Sequence, residues 1–297
     1  MSGLYRNRIK PMWRRVSQAV SAAVINSHWP SLFARTIYGG KLKGFCVPGL
    51  NCYSCPLAIF ACPVGSIQYI LAHIRPSIEA GKYYLGFYVI GTLGIVGSAV
   101  GRMACGWICP FGALQDVLYK IPTRKIEIPR AFNYFKYAVL LVMVVILPAM
   151  VLDEFGYGEV WFCKYLCPAG TLEAGIPLTV LNSSLRSQVG IQFWLKASIL
   201  LVFLGLMIPV RRPFCRTTCP LGAIYSLFNR VSILRLSVSS ECIKCDRCYK
   251  VCPMSIKVYE NPNSRDCIRC LDCVKVCPVN AVSYEIAGRR LGSSEPF

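Results

Sequence analysis

The chain has little charge. Only 16% of its 297 residues are Asp, Glu, Lys or Arg, against 55% hydrophobic, and the mean hydropathy is +0.47. That balance excludes an ordinary soluble domain and points to membrane spans. Histidine is scarce too. His28 and His73 offer little for haem ligation or quinone binding and read as interfacial or solvated residues. A Gly-rich phosphate loop, a nucleophile elbow and a flavin-attachment signal are all missing, so no catalytic residues are assigned. No basic–aromatic module is visible, so no nucleic-acid partner is expected. The basic start (Arg6, Arg8, Lys10, Arg14, Arg15) is not followed by a compact apolar core and a small-residue cleavage site. A cleavable signal peptide is therefore not expected, and Arg14-Arg15 lacks the context of a twin-arginine signal.

Cysteine, by contrast, is abundant: eighteen residues, in a pattern that argues for metal rather than disulfides. The runs CIKCDRCYKVCP and CIRCLDCVKVCP start 25 residues apart, at Cys242 and Cys267. Each is C-x₂-C-x₂-C-x₃-C-P, the two-cluster ferredoxin spacing. A [4Fe–4S] cube there takes three thiolates from one run and the fourth from the other. The expected sets are Cys242, Cys245, Cys248 and Cys277, and Cys267, Cys270, Cys273 and Cys252. Zinc ribbons would pair two C-x₂-C knuckles and have no use for the third cysteine or the C-P ending.

A second phrase, C-P-x-G-x-[IL], occurs four times: CPVGSI from Cys62, CPFGAL from Cys109, CPAGTL from Cys167 and CPLGAI from Cys219. The last three follow a cysteine four residues earlier, Cys105, Cys163 and Cys215. The first follows Cys46, Cys52 and Cys55. Copies one and three are 105 residues apart and copies two and four 110, which reads as an internal duplication. Proline suits the first turn of the helix that follows, glycine allows close approach, and the helix N-terminus faces an anionic cluster.

Three apolar segments read as membrane helices, Tyr83–Gly101, Tyr134–Leu152 and Ile191–Val210. A weaker fourth, Val16–Tyr38, is read as a span rather than an interfacial segment. Basic residues concentrate in 102–130 and 211–235, whereas 44–82 and 153–190 carry few, so the first pair of loops and the C-terminus are expected in the cytoplasm. Arg35, Lys41 and Lys43 sit awkwardly on the outer side. This sidedness pairs Cys105 and Cys109 with Cys215 and Cys219 in one inner cube. On the outer side Cys62, Cys163 and Cys167 belong together, with Cys55 chosen as the fourth ligand. Cys46 and Cys52 are then left over, free or disulfide-bonded. The rival is a local outer cube from Cys46, Cys52, Cys55 and Cys62. Gln115-Asp116 and Glu173 read as helix-surface or first-turn residues rather than a proton relay. Four such sites would lower the formal charge of +19 to about +11, and lipid-facing basic loops account for the rest.

At CGWICPFGALQD (Cys105–Asp116), FCRTTCPLGAIYS (Phe214–Ser226) and the two ferredoxin runs, the chain resembles the NapH-type membrane ferredoxins. That resemblance implies polytopic subunits associated with periplasmic nitrate reduction and related quinol oxidation. The chain departs from the pattern at NCYSCPLAIFACPVG and FCKYLCPAG, which supply the outer cysteines. The expected fold is therefore an α-helical integral membrane protein with about four transmembrane helices in duplicated two-helix halves (1–235), followed by an α+β dicluster ferredoxin domain (236–297). The expected function is one-electron transfer through about four [4Fe–4S] clusters between the outer side or the membrane pool and a cytoplasmic redox partner. Expected partners are redox subunits on one or both faces and the lipid bilayer, with a quinone as a further candidate ligand. A quinol dehydrogenase subunit and an accessory metal-reducing assembly protein are the alternatives.

Overall fold

The computed structural model describes residues 12–81 and 86–291. Arg6, Arg8, Lys10, the Tyr83 start of one expected span and the C-terminus at Phe297 lie outside the described residues. The principal helices are α1 (Met12–Ile25), α2 (Pro63–Ala72), α3 (Phe87–Val100), α4 (Pro110–Leu118), α5 (Arg130–Met150), α6 (168–181), α7 (Ile191–Met207) and α8 (Pro220–Phe228). Three strands follow as one antiparallel sheet in the order β1 (Leu234–Val238), β2 (Val282–Ile286), β3 (Arg289–Leu291), with Leu236 opposite Tyr284.

Each C-P-x-G phrase starts a helix. Cys62, Cys109, Cys167 and Cys219 sit in extended backbone at the N-cap of α2, α4, α6 and α8, and proline occupies the first turn. The three C-x₃-C loops close alike. Cys109 N–H donates to the Ala104 carbonyl, Cys167 N–H to Phe162 and Cys219 N–H to Phe214, each five residues back. The turn Phe162–Leu166 is wound as π-helix throughout, a form concentrated at functional sites.

Among the described residues one helix, α5, is long and apolar enough to cross a membrane; α3 and α7 are shorter apolar helices. The expected first span is displaced. The helix covers Met12–Ile25 and breaks at the Asn26–Trp29 turn, so the stretch 16–38 is not one element. Its apolar side (Trp13, Val16, Val20, Val24) is exposed. The opposite side holds Arg14 and Gln18 against α4 and the turn Met103–Trp107, through Gln18 Nε2 to the Gly106 carbonyl at 2.8 Å.

The loops sort to two ends. Ile126 N–H donates to the Pro209 carbonyl and Lys125 Nζ to Ile208. At the other end Gly158 N–H donates to Ala72 and Lys196 Nζ to the Cys163 carbonyl. The edge-on stack of Phe111, Phe214 and Phe203 ties α4 and α7 to the turn Pro213–Thr217, worth about 0.5–1.5 kcal/mol per pair beyond area burial. One continuous core cluster runs from Leu50 and Cys62 through Cys105 and Cys219 to Cys252, Ile268 and Cys270.

Candidate cluster sites

The four inner cysteines meet. Cys219 lies within Coulombic reach of Cys215, Cys105 and Cys109, and Cys109 of Cys215 and Cys105. The halves bracket each other reciprocally. Arg102, three residues before Cys105, donates to the Cys215 carbonyl at 3.1 Å. Arg212, three residues before Cys215, donates to the Cys105 carbonyl at 2.9 Å. Both guanidiniums are buried and are matched by carboxylates. Arg212 holds Asp116 bidentately at 2.8 and 2.6 Å, and Arg102 reaches Asp266 at 3.3 Å. A side chain at Gly222 would stand 2.8 Å from Arg102 Nη2, so that glycine makes room for the arginine; one at Gly112 would stand 2.9 Å from the Cys105 carbonyl that Arg212 holds. Gln115 is buried and donates to Cys215 Sγ at 2.9 Å. It is therefore not the helix-surface residue expected.

The outer group holds a different fourth thiol from the one expected. Cys167 lies within reach of Cys163, Cys52 and Cys62, and the position above Gly170 is 3.7 Å from Cys52 Sγ and 3.8 Å from Cys167 Sγ. Cys55 turns away, with Sγ 3.7 Å from Asn26 Oδ1. The nearest-upstream rule fails because 52–55 is a tight turn, closed by Cys55 N–H on the Cys52 carbonyl, rather than a helical C-x₃-C step. Cys46 faces Ser66 Oγ at 3.6 Å, and all eighteen cysteines are free of disulfides. Gln68 repeats Gln115 by donating to Cys163 Sγ at 3.2 Å. Glu173 is half-buried and accepts from Cys52 N–H at 2.6 Å, so its carboxylate lies at the site. Gln68, Gln115, Glu173 and Tyr225 all sit six residues after the Cys of their C-P-x-G phrase.

In the C-terminal part Cys252, Cys267, Cys270 and Cys273 line one cavity, walled otherwise by Arg269 and by apolar residues such as Leu236, Met254, Ile256 and Val258. Cys248 lies within reach of Cys242 and Cys245, and Cys277 packs into the same apolar cluster as Cys248. The loops repeat their backbone. Lys244 and Asp246, and 25 residues on Arg269 and Leu271, have positive φ between their cysteines, which turns successive thiols inward. Backbone N–H groups are aimed at sulfur. Arg269 N–H lies 3.4 Å from Cys267 Sγ, Ile256 N–H 3.5 Å from Cys252, Gly170 N–H 3.4 Å from Cys167 and Gly222 N–H 3.4 Å from Cys219. Convergent thiols, N–H donors at the sulfurs and an apolar wall are what a thiolate-ligated cluster requires.

The sites adjoin. Leu50 and Asn51 belong to an irregular strap between outer and inner groups. The Leu50 carbonyl lies 3.9 Å from Cys109 Sγ, and Asn51 N–H is directed at Cys62. A Cβ on Gly106, next to Cys105, would stand 2.8 Å from the Ile268 carbonyl, next to Cys267. Asp266 joins that second junction to Arg102, Lys136 and Asn133. Burial pushes its carboxyl up, but Arg102 and Lys136 outweigh this and hold it below the usual carboxylate range. Arg14 bridges Asp116 at 3.4 Å and Asp272 at 3.5 Å. The histidines are structural: His28 Nδ1 meets Ser31 Oγ at 2.6 Å, and His73 Nδ1 the Tyr69 carbonyl at 2.8 Å.

Sites of this kind define an iron–sulfur electron-transfer protein carrying multiple [4Fe–4S] clusters. A family described as "4Fe-4S binding domain" matches residues 84–129, 135–176 and 192–238, and one described as "4Fe-4S dicluster domain" matches 236–278. The chain belongs to the NapH-type family of 4Fe–4S ferredoxins. It is 32% identical to the uncharacterized protein MJ0750 of Methanocaldococcus jannaschii, over 61% of this chain and 70% of that one. It is 27% identical to the methylamine utilization ferredoxin-type protein MauN of Methylorubrum extorquens, over 59% of this chain and 55% of that one. It is 26% identical to the ferredoxin-type protein NapH of Haemophilus influenzae, over 84% and 76%. The chain thus spans only about half the length of the MauN relative. No solved structure matches.

Proposed function

We propose that the chain is an integral membrane electron conduit with four [4Fe–4S] sites in series. The observation that carries this is the order of contacts, outer group to Leu50–Asn51 to inner group to Gly106–Ile268 to the Cys252 group, all within one core. The proposed ligands are Cys52, Cys62, Cys163 and Cys167; Cys105, Cys109, Cys215 and Cys219; Cys252, Cys267, Cys270 and Cys273; and Cys242, Cys245, Cys248 and Cys277. The clusters supply one-electron transfer. The protein's own residues hold the thiolates, aim N–H groups at them and keep water out. Residues 1–235 form the membrane part and 236–297 the ferredoxin domain.

Support for the membrane comes from α5, from the exposed apolar sides of α1, α3 and α7, and from the gathering of basic loops at one end. On this reading α1, α3, α5 and α7 are the four membrane helices, and the basic end and ferredoxin domain face the cytoplasm. The relatives' names, one of them for methylamine utilization, favour partner redox subunits as donor and acceptor.

The test is transfer across proteoliposomes. Intact protein should hold about sixteen iron atoms and pass electrons from an impermeant reductant outside to the ferredoxin clusters in the lumen. With Cys109→Ser and Cys219→Ser, transfer should stop while the ferredoxin signals persist. Transfer at the normal rate in the double variant would defeat the conduit. A requirement for added quinone in the intact protein would replace it with a quinol dehydrogenase.

A further inference from the structure

A cavity of about 340 Å³ lies where the start of α5 meets the ferredoxin part. Its basic lining is Arg130, Lys136, Arg216, Arg230, Lys257 and Arg265. Lys136 is matched by Asp266 and Lys257 by Glu260 at 3.3 Å. The four arginines have no carboxylate within ion-pair distance among the described residues. Arg216 is buried to 3% exposure, and its Nε has no hydrogen-bond partner. The Asn133 Oδ1 in the same wall is likewise buried and unpartnered. A buried guanidinium N–H without an acceptor is costly, and several unmatched arginines on one hollow repel each other. Both costs disappear when an anion with several acceptor oxygens fills the space. Guanidinium forks match phosphate oxygens, and a ligand hydroxyl would satisfy Asn133.

We infer that this cavity binds a phosphate group, and that its occupant is the headgroup of an anionic phospholipid. Tyr134 and Tyr137 line the cavity, and Phe132, Phe135, Leu227 and Val231 lie exposed on the segments that form its wall. Amphipathic rings and arginines at the end of an apolar helix mark headgroup depth, and basic pockets there take anionic lipid. The far wall carries Met254, two residues past Cys252, and Asp266, next to Cys267. A bound headgroup would therefore place its negative charge beside one cluster and be sensed there. Naming a lipid rests on the membrane reading above; the phosphate site rests on the cavity's own residues.

The experiment uses the full, cluster-loaded protein in nanodiscs of phosphatidylcholine with or without phosphatidylglycerol, followed by detergent extraction and phosphorus assay of retained lipid. About one phosphatidylglycerol per chain should be retained in preference to phosphatidylcholine, and the Cys252-site potential should fall when it is present. Arg130→Gln, Arg230→Gln and Arg265→Gln together, all at exposed positions, should weaken retention at least tenfold with iron content unchanged. Arg216→Gln should do the same if it folds. Equal retention of the two lipids, or equal retention by the triple variant, would overturn the site. Displacement of the lipid by millimolar adenosine 5′-phosphate would overturn the lipid as occupant. Protein that stays monodisperse without detergent yet binds that phosphate through the same arginines would sink the membrane reading and leave the site standing.

Discussion

The outer and inner thiol groups are built from the same duplicated phrase, yet they differ in what surrounds them. The inner group is symmetric, with two C-x₃-C turns, two arginines reaching across to the opposite cysteine carbonyl, and Gln115 on Cys215. The outer group keeps the glutamine, as Gln68 on Cys163, but replaces one C-x₃-C turn by Cys52, ten residues before Cys62. Among the described residues no arginine brackets it, and a half-buried carboxylate, Glu173, faces the Cys52 backbone. The difference follows the neighbours. The arginines occur where the ferredoxin loop docks, because Arg102 reaches past the inner group to Asp266, the residue before Cys267. On the proposed ligand sets, the repeated phrase keeps one frame in both groups, and the inner copy doubles as a joint.

The comparison breaks most readily at the ligands. Cys52→Ser should remove roughly four iron atoms per chain, as Cys105→Ser should from the inner group, whereas Cys55→Ser should remove none, by iron assay and EPR. Loss of iron in Cys55→Ser with none in Cys52→Ser would reverse the outer assignment.

The joint comes next. Asp266→Asn leaves Arg102 and Lys136 buried without their shared carboxylate, a loss of about 3–5 kcal/mol by the cost of breaking buried pairs. Its pH dependence has a definite sign. The native carboxyl is held below its unfolded value, so its contribution is complete above the ordinary carboxylate pKa and is lost as pH falls through the depressed one. Thermal melts of the ferredoxin part should lose stability in acid, and the Asn variant should flatten that loss. A similar flattening from Glu173→Gln would dissolve the distinction between the two groups.

Gly106→Ala tests the same joint sterically. Its Cβ would stand 2.8 Å from the Ile268 carbonyl, a backbone atom that cannot swing away, at a cost of about 1–3 kcal/mol. Electron exchange between the inner and Cys252 sites should slow while exchange between outer and inner sites is unchanged. The smallest effects are on potential. Gln115→Leu and Gln68→Leu each remove one N–H···S bond and should lower the potential of their own group only. Glu173→Gln should raise the outer potential alone; a shift at both groups would deny the separation.

The grouping of the ferredoxin cysteines could be read from the fixed 25-residue period, and the proximity of the inner four from the repeated phrase with its partner cysteine; their ligation is the proposal above. Cys52 was not, since a loop rather than a helical turn sets its distance from Cys62. Choosing the cysteine nearest in sequence assumes a helix that is not there. The arginines carried an unread signal: R-x₂-C precedes both inner phrases, as RMAC and RPFC, and neither outer one. Glutamine six residues after the cysteine, in CPVGSIQ and CPFGALQ, was a second signal, hidden because a polar residue on a short helix reads as solvent-facing until its face is known. The helical content followed from the apolar runs. The placement of α1 rests on Gln18 and Arg14, whose contacts are made 88 and 102 residues away.

Irregular surface segments ordinarily absorb insertions and drift in sequence. The strap around Leu50 and Asn51 is irregular but inside the protein, with one residue touching each thiol group. Its length is therefore a ruler. Adding a single residue between Leu50 and Asn51 would offset one contact from the other, so across descendants of this chain the strap should be free to change composition but not count.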